Sequence, residues 1–324
     1  MKTFFVVFVA LWGFAACAPS PKPQSKPDQP YVLILGTAQD GGLPQIACDG
    51  PQCRAARVDP ALRRLVSSIL LVDPRDGRRF LFDATPDIAE QVELARGHGG
   101  PAPEESGRPA LFDGIFLTHG HMGHYTGLMH LGQEAYGTRN TKIYCSKRMA
   151  DYLTTNGPWS LMVELGQITP IVLRPDEPLE LGGGLRVTPV VVPHRDEFTD
   201  TFAFVIEGQE RSVLFLPDID KWRRWERPIE ELLERVDVAL LDGSFFADGE
   251  IPGRDMDEIA HPFIVESIER FSSLPPDERA KVWFTHLNHT NPAVLPGSAA
   301  SRFVADAGMR VANDGEQISL HAPR

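Results

Sequence analysis

With 324 residues, 42% of them apolar, the chain has the material for one large α/β domain or two small ones, each with a full core. Its 44 acidic side chains against 32 basic ones give a formal charge of -12, which argues against a broad phosphate-tracking surface. A small substrate is therefore expected rather than a nucleic acid.

The amino terminus opens with Lys2 and an apolar run from Phe4 to Ala16, too short to span a bilayer and of signal-peptide proportions. Phe14-Ala15-Ala16-Cys17 resembles the lipobox of bacterial lipoproteins, with Phe where Leu is usual. That resemblance implies a signal peptide over 1–16, acylation of Cys17, and export to the cell envelope as a membrane-anchored lipoprotein. An ordinary secretory signal with an incidental cysteine is the alternative. Residues 17–29, dominated by Pro, Ser and Lys, read as an extended tether.

No linker-like shift divides residues 30–324, so one domain is expected there. Tyr31–Leu35, Ser67–Val72, Phe80–Phe82 and Gly114–Leu117 read as strands bounded by Gly, Pro and Asp turns, and Ile143-Tyr144-Cys145 as a strand segment with a buried thiol. Asp87–Arg96 and Thr126–Tyr136 carry helical periodicity. Further on, Leu185–Val192, Thr201–Ile206, Ser212–Leu216, Val236–Leu241 and Lys281–Phe284 read as strands. Pro228–Arg235, Pro262–Phe271 and Ser298–Asp306 read as helices. Interleaving of this kind fits sheets packed face to face with helices outside.

Directly after Gly114–Leu117 comes Thr118-His119-Gly120-His121-Met122-Gly123-His124. Three imidazoles leaving one strand end can turn toward a single point, and imidazole is the commonest ligand for zinc. Other strand ends deliver more ligands: His194 after Val192-Pro193, Asp218 after Leu216-Pro217, and His286 after Phe284-Thr285. Five histidines and a carboxylate at four strand ends predict a catalytic metal centre.

With those residues in that order, the chain resembles the metallo-β-lactamase superfamily, whose signature is His-X-His-X-Asp-His followed by a distant His, an Asp and a final His. The resemblance implies an αββα sandwich with metals at one edge. His119, His121 and His194 would form the first metal site, Asp218 would bridge, and His124 with His286 would contribute to the second. Gly123 stands where the signature has Asp and cannot coordinate. Either the site works with one ion, or His124, His286 and Asp218 hold a weak second one, or a substitute carboxylate enters. Asp40, Asp83 and Asp220 are candidates, Asp83 reading rather as a turn carboxylate.

Three blocks, Leu35 to Gln45, Leu241 to Phe246 and Phe284 to Pro292, resemble the pyrroloquinoline-quinone biosynthesis B proteins and the cyclic phosphodiesterase of the carbon-phosphorus lyase pathway. The quinone family often lacks the first two motif histidines, which this chain keeps. Both relatives carry a Cys-X-Cys-X-X-Cys loop that can hold a structural zinc; here only Cys48 and Cys53 remain, with Gly50 between. A zinc on Cys48, Cys53, His289 and Asp49 and a Cys48–Cys53 disulfide are both open readings.

The chemistry expected is that of a metal-dependent hydrolase, with zinc (one or two ions, or manganese or iron) supplying metal-bound hydroxide for attack on a small ester or phosphodiester. Asp218 would orient that nucleophile, and His261, which matches by position a histidine near the active site of both relatives, would serve as general acid. Asp242-Gly243-Ser244 and Arg195-Asp196-Glu197 read as substrate-binding or positioning segments, or simply as turns. Trp222-Arg223-Arg224-Trp225 reads as a pocket rim or as packing. His98, His130 and His321 read as surface or packing residues. The alternatives are an enzyme acting on a quinone precursor and a non-catalytic metal-binding lipoprotein.

Overall fold

Along β1 (Tyr31–Gly36) side chains alternate between two cores: Tyr31, Leu33 and Leu35 pack with the helices outside, Val32 and Ile34 with a second sheet. Strands buried on both faces read as continuous apolar runs, which is why Tyr-Val-Leu-Ile-Leu shows no polar alternation. The computed structural model describes residues 27–101 and 109–322. The expected signal peptide, Cys17 and the expected tether up to residue 26 lie outside them.

After β1 come β2 (Ser68–Asp73), β3 (Arg78–Phe82), β4 (Gly114–Phe116), β5 (Thr141–Cys145) and β6 (Ile168–Val172). The second sheet is built from β7 (Leu179–Gly182), β8 (Leu185–Val192), β9 (Thr201–Glu207), β10 (Ser212–Leu216), β11 (Val238–Asp242), β12 (Val282–Thr285) and β13 (Arg310–Val311). The last strand, β14 (Gln317–Ser319), returns to pair with β1, giving two seven-stranded sheets in the orders β14-β1-β2-β3-β4-β5-β6 and β13-β12-β11-β10-β9-β8-β7. Helices cover the outer faces, so the expected αββα sandwich is what forms.

Aromatic side chains fill the space between the sheets. Phe82 stacks on Phe116 at 4.7 Å between ring centres, and Phe204 meets both edge-on at 5.4 and 5.5 Å. Truncating one such ring to Ala costs about 3–5 kcal/mol. Cys145 is buried at the end of β5, and burial pushes its thiol up to about 12.

Strand direction gathers the site. Antiparallel pairing of β2 with β1 and β3, and parallel pairing of β3 with β4, make β1, β3 and β4 run the same way. The corresponding pairings make β8, β10, β11 and β12 co-directional. At that edge the sheets are stitched together: Gln39 N donates to Leu287 O, Leu287 N to Thr37 O, and Phe202 N to Thr118 O, each at 2.8–2.9 Å.

Two expected helices are corrected. Thr126–Tyr136 is not an α-helix; a single turn, Met122–Tyr125, runs into a 3-10 stretch, Thr126–Leu131. Gly127 presses on the Ala84–Thr85 backbone, where a Cβ would lie 2.1 Å from Thr85 O, and its N–H donates to Ala84 O rather than to its own helix. Pro228–Arg235 shortens to one turn, Glu230–Leu233. Pro262–Phe271 and Ser298–Asp306 survive as Ile264–Phe271 and Ala299–Asp306, the latter capped by the Ser298 hydroxyl on Ser301 N.

Candidate metal centre

Each expected ligand leaves a strand end on the same edge: His119 and His121 follow β4, His194 follows β8, Asp218 follows β10 and His286 follows β12. His124 is carried by the turn Met122–Tyr125. Among the described residues, four groups of three have ligand atoms within 4.8 Å of one another and could hold an ion. They are His119/His121/His194, Asp40/His124/His286, His119/His124/Asp218 and His194/Asp218/His261.

In the first half, His119 Nε2 and His121 Nδ1 lie 2.8 Å apart, and the His194 ring centre lies 5.1–5.2 Å from both of theirs. Outer atoms are fixed by neighbours: Thr118 Oγ1 sits 2.9 Å from His119 Nδ1, and Glu197 Oε2 sits 3.1 Å from His121 Nε2. Glu197, from a segment expected to bind substrate or position the site, thus positions His121. His194 Nδ1 is buried with no partner.

In the second half, Asp218 Oδ2 is 2.8 Å from His124 Nε2 and 3.3 Å from His286 Nε2, and Asp40 Oδ1 is 3.5 and 3.6 Å from the same two nitrogens. Behind them, Asp83 Oδ2 holds His124 Nδ1 at 2.8 Å, and Ser244 Oγ holds His286 Nδ1 at 2.8 Å. Outer partners of this kind orient metal-ligating imidazoles and fix which nitrogen faces the ion. Asp83 at φ 65 and His286 at φ 60 occupy the left-handed region, a strain of about 1–3 kcal/mol each that the surrounding bonds sustain.

Between the halves stands Asp218, within 3.8 Å of His119, His124, His194, His261 and His286. Burial opposes its charge, yet the imidazoles of His286, His194 and His124 hold its carboxyl well below the usual range. Burial lowers His119, His121 and His194, the last to about 4, so all three are neutral and ready to ligate. For His124 burial is outweighed by Asp83, Asp218 and Asp40, which raise it.

The donor set fits a metal. His124 Nε2, His286 Nε2 and Asp40 Oδ1 are buried and unpaired, the 2.8 Å approach of Asp218 to His124 not being aligned as a hydrogen bond. Unpaired buried polar atoms are costly, and an ion resolves all three together. Tetrahedral zinc with bonds of about 2.0–2.1 Å keeps its donors about 3.3–3.4 Å apart, close to the separations in this half.

Residues 78–287 match the family described as the beta-lactamase superfamily domain. The chain belongs to that superfamily. Curated relatives include coenzyme PQQ synthesis protein B of Methylobacterium radiotolerans, 28% identical over 89% of this chain and 99% of that protein, and its counterpart in Methylococcus capsulatus, 27% identical over the same shares. Zn(2+)-bound PqqB from Methylobacterium extorquens superposes with a TM-score of 0.73 at 23% identity, over 89% of this chain and 99% of that one. A diphosphatase of the PhnP family gives 0.63 at 23% identity, over 89% and 96%. These structures share the metallo-β-lactamase fold.

Gly123 remains this superfamily member's departure from the usual motif. Of the three substitute carboxylates considered, only Asp40 reaches the cluster's interior. Asp83 lies behind His124 and is more than a turn carboxylate; Asp220 is taken by Arg224 at 2.6 Å. His261 joins the site: Asp242 Oδ2 holds its Nδ1 at 2.8 Å, Ser244 Oγ lies 3.2 Å away and Asp218 Oδ1 3.4 Å. Asp242 and Ser244 lie in the segment expected to position the site and Thr118 opens the histidine run, whereas the role of Asp83 behind His124 carries no motif of its own.

Elsewhere the expectations divide. Cys48 and Cys53 are free thiols that interact with each other, and burial followed by that contact pushes Cys53 up to about 11. His289 does not close a ligand group with them among the described residues and Asp49 is exposed beside Arg57, so of the two open readings neither the zinc group nor the disulfide is formed. Trp222 packs inward, its Nε1 donating to Ser267 Oγ, whereas Arg224 and Trp225 line a cleft beside His194. His98 meets the Tyr31 hydroxyl and His321 pairs with Glu210, as expected of packing and surface residues.

Proposed function

We propose that the protein is a metal-dependent hydrolase of a small ester or phosphodiester. The observation that carries this reading is Asp218, a single buried carboxylate shared by two ligand groups that open onto one edge of the sandwich. Zinc, manganese or iron bound there would supply hydroxide at neutral pH and polarise the carbonyl or phosphoryl oxygen under attack.

The chain's own residues do the rest. Asp218 Oδ1, turned toward His194 and His261, orients the attacking oxygen. At His261 burial opposes the charge, but Asp242 and Asp218 outweigh it and raise its pKa, which favours the imidazolium form. With Nδ1 held by Asp242, its Nε2 is the atom that protonates the leaving oxygen, a contribution typically worth about 10²–10⁴ in rate.

A second reading, an enzyme acting on a quinone precursor, is favoured by the relatives at 27–28% identity. Hydrolysis of bis-(p-nitrophenyl) phosphate by metal-loaded protein tests the first: turnover that disappears in His119→Ala supports it, and no turnover of any ester or phosphodiester overturns it. His261→Gln should lose more rate on a diester with an alkyl alcohol leaving group than on the p-nitrophenyl one, which departs without a proton. The amino-terminal reading stands as a proposal with its own test: lipid labelling in the producing bacterium that Cys17→Ser abolishes.

A further inference from the structure

Position 123 and position 40 occupy the same space. A Cβ built on Gly123 would lie 2.0 Å from Asp40 Oδ1, 2.7 Å from Asp40 Cγ and 2.9 Å from Asp40 Cα. No side chain at 123 is compatible with Asp40 where it stands. Gly123 is therefore the residue that admits Asp40, not merely one that fails to coordinate.

What brings Asp40 there is the stitching between the sheets. Ala38 bridges both Val66 and Leu287, and Gln39 N donates to Leu287 O, immediately after His286. Gly42, at φ 66, turns the chain away again, its N–H donating to Gln39 O. Between these anchors Asp40 is 36% exposed at its side chain, yet Oδ1 is buried and unpaired, aimed between His124 Nε2 and His286 Nε2.

We propose that Asp40, carried by the loop after β1, is the terminal carboxylate ligand of the second metal position, and that Gly123 has exchanged places with it. The inference rests on the metal-centre reading above. It deepens it by naming a ligand from a different segment of the chain, and it implies that the two positions covary: an acidic residue at one requires a small residue at the other. With Asp40, His124, His286 and the bridging Asp218, the second position has four protein donors, a complete set for a tetrahedral ion.

Four proteins test the exchange: wild type, Asp40→Gly, Gly123→Asp and the double variant Asp40→Gly/Gly123→Asp. Zinc per chain is measured by elemental analysis, and stepwise affinity by competition with a chromophoric chelator. Two zinc ions are expected in the wild type. Asp40→Gly should keep the ion on His119, His121 and His194 and lose affinity for the second by more than the roughly 10–100-fold cost of removing an outer partner. Gly123→Asp alone should also lose the second ion, because its side chain collides with Asp40. The double variant should regain it. Asp40→Asn, which keeps the shape of the loop, should weaken the second ion even if a glycine variant fails to fold. Wild-type affinity for both ions in Asp40→Asn, or a wild type that takes one ion or none, would overturn the proposal. A wild type holding two ions through Asp40 without hydrolysing any ester or diester would leave the ligand assignment standing and remove the hydrolase reading.

Discussion

The two halves of the cluster are made of different chemistry. One is three imidazoles, from two strand ends, that burial keeps neutral. The other is two imidazoles set among three carboxylates, Asp40, Asp83 and Asp218, and those carboxylates raise His124 despite its burial. A neutral nitrogen set favours zinc and its softer neighbours, whereas a carboxylate-rich set also accepts manganese. The contrast sets an imidazole-only ligand group beside a carboxylate-rich one at a single fold edge, with Asp218 between them.

The largest effect should come from breaking the imidazole half. His119→Ala is expected to lose that half's ion and to cut phosphodiester turnover by about 10³-fold or more, several kcal/mol of transition-state stabilisation. Undiminished turnover in steady-state kinetics would mean that this half is not where reaction occurs.

Metal exchange sharpens the difference. Zinc-loaded protein dialysed against excess manganese should exchange the ion at Asp40, His124 and His286 first, because one of its donors sits on a partly exposed side chain, whereas His119 and His194 are closed off. Elemental analysis at intervals should pass through a stage with one zinc and one manganese per chain. Simultaneous loss of both zinc ions would erase the distinction.

Smaller effects follow from the outer partners. Asp83→Asn removes the carboxylate behind His124 and should weaken chiefly the second ion, by about 10–100-fold. Glu197→Gln removes an exposed partner of His121 and should weaken the first ion by only a few-fold, since exposed pairs contribute about 0–1 kcal/mol. Chelator competition on both variants checks the ordering.

The smallest effect concerns the anchor of the Asp40 loop. Asp314 accepts from Thr37 Oγ1 and Leu65 N, both at 2.7 Å, and burial raises its carboxyl to about 6 from 3.8. Between those values the folded chain keeps a proton that the unfolded chain has released, so this group's contribution to stability falls as pH rises from about 4 to about 6 and is level above. Asp314→Asn, which keeps an oxygen to accept from Leu65 N but has no titrating carboxyl, should lack that slope. Urea midpoints of both proteins across pH 4 to 7 test it.

How far these halves were legible in the sequence follows from how they are encoded. The imidazole half is largely one contiguous run after an apolar strand, and strand-end position exposed His194, Asp218 and His286, so the sandwich and its ligand edge could be read from residue order. Asp40 could be named only as one of three carboxylates, because what selects it is contact between the loop after β1, the loop after β12 and the space over Gly123. Asp83 read as a turn residue, and its backbone is left-handed at φ 65, but only the fold shows that its carboxylate faces His124. The helix expected over Thr126–Tyr136 failed for a related reason: close packing of Gly127 on Ala84–Thr85 overrides local periodicity.

Anomalous diffraction at the zinc edge from zinc-loaded crystals of the protein tests the central claim most directly. Two peaks about 3.5–4 Å apart are expected, one against His119, His121 and His194, the other against Asp40, His124 and His286, with Asp218 between. A single peak, or a second one that Asp40 does not touch, would contradict the binuclear centre proposed above.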